Sequence, residues 1–157
     1  MSTLLIDQLF SGVVFPQPIK VSRDVSVVHI RPWVYIQGPL ASGDFQCRVL
    51  QGGTVLAVST INYVDINAAL TENYANGKLR FDFESLILHR AEGEEDTEYI
   101  FEFSMINHTT NPTNFLAIVR EWDLKSTIVY GDVDGSGAAV NDAIEPAGYE
   151  IFEYRSH

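Results

Sequence analysis

Apolar and polar residues alternate along most of this chain with a period of two. The clearest instance lies within Gly77–Ile106. Leu79, Phe81 and Phe83 alternate with Arg80, Asp82 and Glu84, and further on Tyr99, Phe101, Phe103 and Met105 alternate with Glu98, Ile100, Glu102 and Ser104. Successive Cβ atoms leave opposite sides of a pleated strand, so aromatic residues at this spacing predict two half-buried β-strands. Arg90–Thr97, between them, is too polar to bury and carries Gly93 for a turn. The pattern predicts a long antiparallel hairpin that supplies much of an aromatic core.

The same reading applied from the N-terminus predicts short strands over Thr3–Phe10 and Gly12–Phe15, the latter ended by Pro16 and Pro18, which cannot donate to a ladder. Val25–Gln37 is rich in β-branched and aromatic residues, with Pro32 marking a bulge or an edge. Phe45, Cys47 and Val49 form the core face of the next strand. Gln51-Gly-Gly-Thr54 is a tight hairpin signal, because Gly-Gly supplies the positive φ such a turn needs, and Val55, Ala57, Ser59 and Ile61 continue on its return arm. Val64–Asn73 is the one plausible helix, of one or two turns. Asn107–Asn114 reads as a polar loop, Phe115–Trp122 and Thr127–Tyr130 as strands, Gly131–Gly148 as a long loop and Tyr149–Tyr154 as a closing strand. About nine or ten short strands joined by turns predict an all-β fold, an antiparallel two-sheet sandwich with a jelly-roll-like order. Residues 1–157 are expected to form a single domain, a length sufficient to bury a real core.

Charge narrows the choice of partner. Ten basic and 21 acidic residues give a net charge of −11, which argues against nucleic acid and against an anionic membrane surface. Neutral or basic partners are favoured. No apolar stretch approaches the ~20 residues that cross a bilayer. Met1–Asp7 lacks a basic segment followed by an apolar run, so synthesis and folding in a cytoplasm are expected. The single cysteine, Cys47, excludes an intrachain disulfide and alternates with Phe45 and Val49 as a small core residue.

The sequence offers little reaction chemistry. His29, His89, His108 and His157 do not fall at metal-ligand spacing, and there is no nucleophile elbow, phosphate loop or Cys-x-x-Cys pair. Carboxylates such as Asp82 with Glu84, or Glu98 with Glu102, sit on outward strand faces and read as a solvated surface rather than a glycosidase pair. The chain is therefore expected not to be an enzyme. Asp132-Val-Asp134-Gly-Ser136-Gly137 begins as an EF-hand loop does, but the twelfth position is Ala143. This leaves a looser calcium candidate of Asp132, Asp134, Ser136 and Asp142 beside the plainer reading of an acidic loop; no other cofactor is expected. Trp33, Tyr63 and Tyr74 are candidate platforms on which a sugar ring could stack, although most strand aromatics are core. Phe115–Trp122 is apolar on both faces, which makes Phe115, Ala117, Val119 and Trp122 candidates for a subunit interface.

Several stretches in order carry a resemblance. Ile30–Ile36 leads to Gly38–Gly43 and Phe45–Val49; Tyr74–Phe83, Glu98–Met105 and Phe115–Trp122 follow; Tyr130-Gly131, Gly137-Ala-Ala and Gly148–Tyr154 close the series. Together they resemble the jelly-roll sandwiches, galactose-binding-like or carbohydrate-binding-module-like, found in accessory domains and in phage virion proteins. The resemblance implies a non-catalytic role, as a capsid decoration or cement protein or a tail adaptor, made in a host cytoplasm and placed in a virion. Its partners would be further copies of itself, other virion proteins or both, with a possible sugar-binding face. The alternative it implies is a carbohydrate-binding module or receptor-binding lectin-like domain.

Overall fold

The computed structural model describes residues 4–9, 13–21, 24–70, 75–109, 111–121, 126–127, 129–131, 144–146 and 152–154. Within them the chain is all-β apart from one short helix. Its strands are β1 (Leu4–Gln8), β2 (Val14–Val21), β3 (Val25–Gln37), β4 (Asp44–Gln51), β5 (Thr54–Asn62), β6 (Ala75–Lys78), β7 (Phe81–Leu88), β8 (Thr97–Ile106), β9 (Phe115–Glu121), β10 (Ser126–Thr127), β11 (Val129–Gly131), β12 (Ile144–Pro146) and β13 (Phe152–Tyr154); the helix is α1 (Tyr63–Ala69). One sheet runs β1-β9-β3-β11-β13, with β10 beside β9 and with β6 and β7 beside β3. The other runs β12-β2-β8-β4-β5. Among these pairings β11 with β13 is parallel, and the long ladders β2–β8, β4–β8, β4–β5 and β3–β7 are antiparallel.

The two sheets share one core. Phe45 on β4 and Phe103 on β8 come from one sheet and Phe81 on β7 from the other, all three fully buried. The ring centroids of Phe45 and Phe81 lie 4.8 Å apart, and those of Phe81 and Phe103 5.9 Å apart, in tilted geometry. Such aromatic pairs add about 0.5–1.5 kcal/mol beyond the burial of their area. Ile30, Val34, Ile36, Val49, Leu88, Phe101, Met105, Leu116 and Ile118 close around them.

This arrangement corrects the expected central hairpin. β7 pairs with β3, whereas β8 lies between β2 and β4. The two alternating arms thus belong to different sheets, and Phe81 of one meets Phe103 of the other. The reason is physical: alternation states which face is buried, not which neighbour completes the ladder. Two strands facing across a core show the same period as two strands of one hairpin.

Other boundaries move as well. β2 does not stop at its prolines but runs on to Val21, with Pro16 opposite Glu102 and Pro18 opposite Ile100. Residues two apart point their N–H positions to the same edge of a strand, so both missing donors fall on one side of β2. The bulge in β3 lies between Val27 and His29, not at Pro32, and the buried Pro32 carbonyl accepts from Leu79 N at 3.4 Å. Ile144–Pro146 is a strand against β2 within what reads as a long loop. The expected nine or ten strands are thirteen among the described residues, because short edge pieces such as β10 and β12 carry too few residues to show a period.

The helix begins at Tyr63, one residue before the expected Val64. Asn62 is extended, and its side-chain oxygen accepts from Val64 N at 3.1 Å, satisfying one of the amide donors that a first helical turn leaves open. Ile66 is its one buried residue. Three further bonds fasten the neighbourhood. Tyr63 N donates to Gly43 O at 2.9 Å, and the Asp44 carboxylate accepts from the Asn62 and Asn107 amides at 2.9 and 3.3 Å.

Candidate functional site

β5 is the last strand of its sheet, and β4 occupies one of its edges. A Gly52-Gly53 turn with φ of 56° and 85° brings the chain back from β4, a conformation that glycine adopts without strain. The nine residues of β5, TVLAVSTIN, include no charged side chain. In the ladder Ala57 faces Val49 and Val55 faces Leu50, which leaves Leu56 as the extra residue of a bulge. The bulge helps to expose Leu56, and Val58 follows two residues on. Leu56 is 43% and Val58 51% exposed. A strand that ends a sheet normally blunts its open edge with charge, proline or distortion. Of these, β5 has only the bulge, and Ala57–Asn62 continues in regular register beyond it.

Across from β5 stands β7. Its inward residues Phe83 and Leu86 belong to the core, while Asp82, Glu84 and Ile87 are exposed. Between the two strands lies a groove of about 400 Å³ lined by Leu56, Val58, Asp82, Phe83, Glu84 and Leu86. A second hollow of about 300 Å³ continues from it, sharing Leu56 and Leu86 and adding Ile87, His89 and Tyr99. One wall is apolar and the other carries carboxylates.

The far end of this groove is pinned by hydrogen bonds. The Tyr99 hydroxyl donates to His89 O at 2.6 Å, and burial of the phenol pushes its pKa up. The Asp24 carboxylate accepts from Arg90 N at 2.9 Å and lies 3.3 Å from His89 Nδ1. The Arg90 amide, with His89 second, holds the Asp24 carboxyl below the usual carboxylate range. Near the middle, Arg80 Nε meets Asp82 Oδ1 at 2.6 Å, with both side chains at the surface. Among the described residues no strand pairs with the second edge of β5, and beside it lie an apolar strip and the carboxylates of Asp82 and Glu84.

A smaller polar hollow of about 230 Å³ lies at the Asn107–Asn114 loop, lined by Ala41, Ser42, His108, Thr109, Asn111 and Asn114. Its polar groups are largely turned on one another. Asn111 Oδ1 accepts from Thr113 N and Oγ1 at 2.9 and 2.8 Å, Thr109 N donates to Ser42 Oγ at 3.1 Å, and the Asn114 amide donates to Pro39 O at 2.8 Å. His108 is buried with Nδ1 3.1 Å from Ser42 O. A carbonyl only accepts, so this contact requires the proton on Nδ1, and Nε2 is a buried atom with no hydrogen-bond partner among the described residues. The loop is built to hold its own shape.

The structure brings few of the sequence-derived candidates together. Tyr63 opens α1 and packs, half-buried, against the core. Trp33 pairs with Lys78 along β3, but its side chain, like the whole of Tyr74, lies outside the described residues. Phe115 is half-buried with its ring 6.3 Å from that of Tyr35. Ala117 is fully buried within the chain. Its β9 neighbour Val119 faces Ile6, with a side chain outside the described residues, as is Trp122. The calcium candidates Asp132, Asp134, Ser136 and Asp142 also lie outside them. Among the described residues no group of three His, Cys, Asp or Glu side chains is placed to hold a metal ion, and no helix is long and apolar enough to cross a membrane.

The groove was not visible from motifs. Its one signal in the sequence is that β5 alternates Leu56 and Val58 on the face opposite Ala57 and Ser59, without a charge in nine residues. Set against protein-family models, curated proteins and solved structures, the chain matches none.

Proposed function

We propose that this chain is a non-catalytic assembly subunit that works through protein–protein contacts, in the manner of a virion decoration or cement protein or a tail adaptor. One observation carries the reading: β5 is a charge-free strand at the open end of a sheet, with Leu56 and Val58 exposed on a chain of net charge −11. An unpaired edge with apolar side chains is a surface that pairs with protein. The ring contacts of Phe81 with Phe45 and Phe103 support the companion reading of the fold, two sheets packed face to face as a jelly-roll-like sandwich. The fold alone does not fix a function, so the case rests on the edge.

Two measurements on the purified chain test it together. Light scattering is expected to give a mass of two or more 17.5 kDa copies, and a glycan array is expected to retain nothing. A monomer held on the array would replace the assembly reading with that of a carbohydrate-binding module.

A further inference from the structure

We propose that the groove between β5 and β7 receives an extended basic segment of a partner protein, added as a further strand on the open edge of β5. This rests on the protein-contact reading above and names the partner. Strand addition draws its affinity from main-chain hydrogen bonds and its specificity from the side chains on either side. The register-true stretch Ala57–Asn62 supplies the main-chain edge. Leu56, Val58 and Leu86 supply an apolar strip, and Asp82 and Glu84 line the same groove.

An added strand turns its side chains alternately to its two faces. Leu56, Val58, Asp82 and Glu84 all lie on the outer side of the groove, and Phe83 and Leu86 on its inner side. A segment that alternates basic and apolar residues therefore turns its cations outward beside the carboxylates and its apolar side chains inward against Phe83 and Leu86. Asp82 is engaged by the exposed Arg80, a surface pair that an incoming lysine or arginine exchanges at little cost. The charge of the chain selects among occupants. A second copy on this edge would bring two chains of net charge −11 together along acidic grooves, whereas a cationic segment is attracted over the whole approach.

The test uses three end-blocked, fluorescein-labelled eight-residue peptides and the full chain, read by anisotropy at about 0.15 M salt, where distant charges are screened. One peptide alternates valine and lysine, one valine and glutamate, one serine and lysine. The valine–lysine peptide is expected to bind, and each of the others to bind at least about tenfold more weakly. Asp82→Asn with Glu84→Gln, and separately Val58→Ser, are expected to weaken the valine–lysine peptide by a similar factor; circular dichroism of these surface variants confirms that they fold. Equal binding of both lysine peptides, or full binding by the Asp82→Asn, Glu84→Gln chain, would reduce the effect to unspecific charge attraction and overturn the proposal. Light scattering separates the remaining occupants. An oligomer that Val58→Lys returns to monomer would place a second copy on the edge, overturning this proposal while leaving the protein-contact reading intact. A glycan-bound monomer would overturn both.

Discussion

The side-chain amide of Asn67 closes a two-bond ring with the backbone of Leu40. Leu40 N donates to Asn67 Oδ1 and Asn67 Nδ2 donates to Leu40 O, each at 2.9 Å. A side chain on α1 thus serves the β3–β4 connection as a strand neighbour would, and the buried Leu40 side chain is held in the core beneath it. Asn67→Asp keeps the acceptor and places a carboxylate oxygen against the Leu40 carbonyl. A loss of about 1–3 kcal/mol is expected, read as a lower denaturant midpoint at unchanged slope.

Two glycines predict different costs for the same substitution. Gly43 has a φ of 109°, and a Cβ there would come within 2.8 Å of both His108 Cβ and Met105 Cε. Gly52 has a φ of 56° with nothing within 4 Å of its Cβ position. Gly52→Ala is expected to cost about 1–2 kcal/mol, the strain of a left-handed residue. Gly43→Ala adds overpacking against His108 and Met105 and is expected to cost at least about 1 kcal/mol more. Equal midpoints for the two variants would show that the β8 end is looser than the contacts indicate.

Asp24 links stability to acid. Its carboxyl is held below the usual range first by the Arg90 amide and then by His89, so the folded state favours the ionised form. Stability from this group is fully present above the pKa of the unfolded chain and is lost as pH falls through the lowered folded value. Asp24→Asn keeps an acceptor for Arg90 N but does not titrate. Wild type is expected to be the more stable at neutral pH, with the gap closing through the acid range; a gap independent of pH would contradict this.

Cys47 gives a probe of opening. Burial pushes its thiol well up, with the charge of Glu102 adding to the effect, so little thiolate forms in the folded chain. Labelling by a thiol-specific disulfide reagent is expected to proceed only as the protein unfolds, and at once in denaturant. A fast phase in the native protein would show that β4 opens locally.

How much of this could be read from residues alone follows from what periodicity encodes. Phe81, Phe101 and Phe103 were legible as core because an aromatic residue at every second position has only one favourable side. The Gly52-Gly53 turn was legible for a local reason too, the positive φ that such a pair supplies. Strand partners were not. Phe81 and Phe103 share a pattern yet lie in different sheets, since pairing is decided by distant residues that no short window contains. The β5 groove was half legible: Leu56 and Val58 stood on the outward face, but Asp82 and Glu84 join them only through the packing of one sheet on the other.

The most direct measurement of the central claim is amide hydrogen exchange along β5 with and without the valine–lysine peptide. In the free chain, alternate amides of Ala57–Asn62 face the open edge and are expected to exchange fast, while those bonded to β4 exchange slowly. With peptide bound, the fast set is expected to become protected and Cys47, on β4, to stay as it was. Protection confined to another surface, or an edge already slow in the free monomer, would contradict the account.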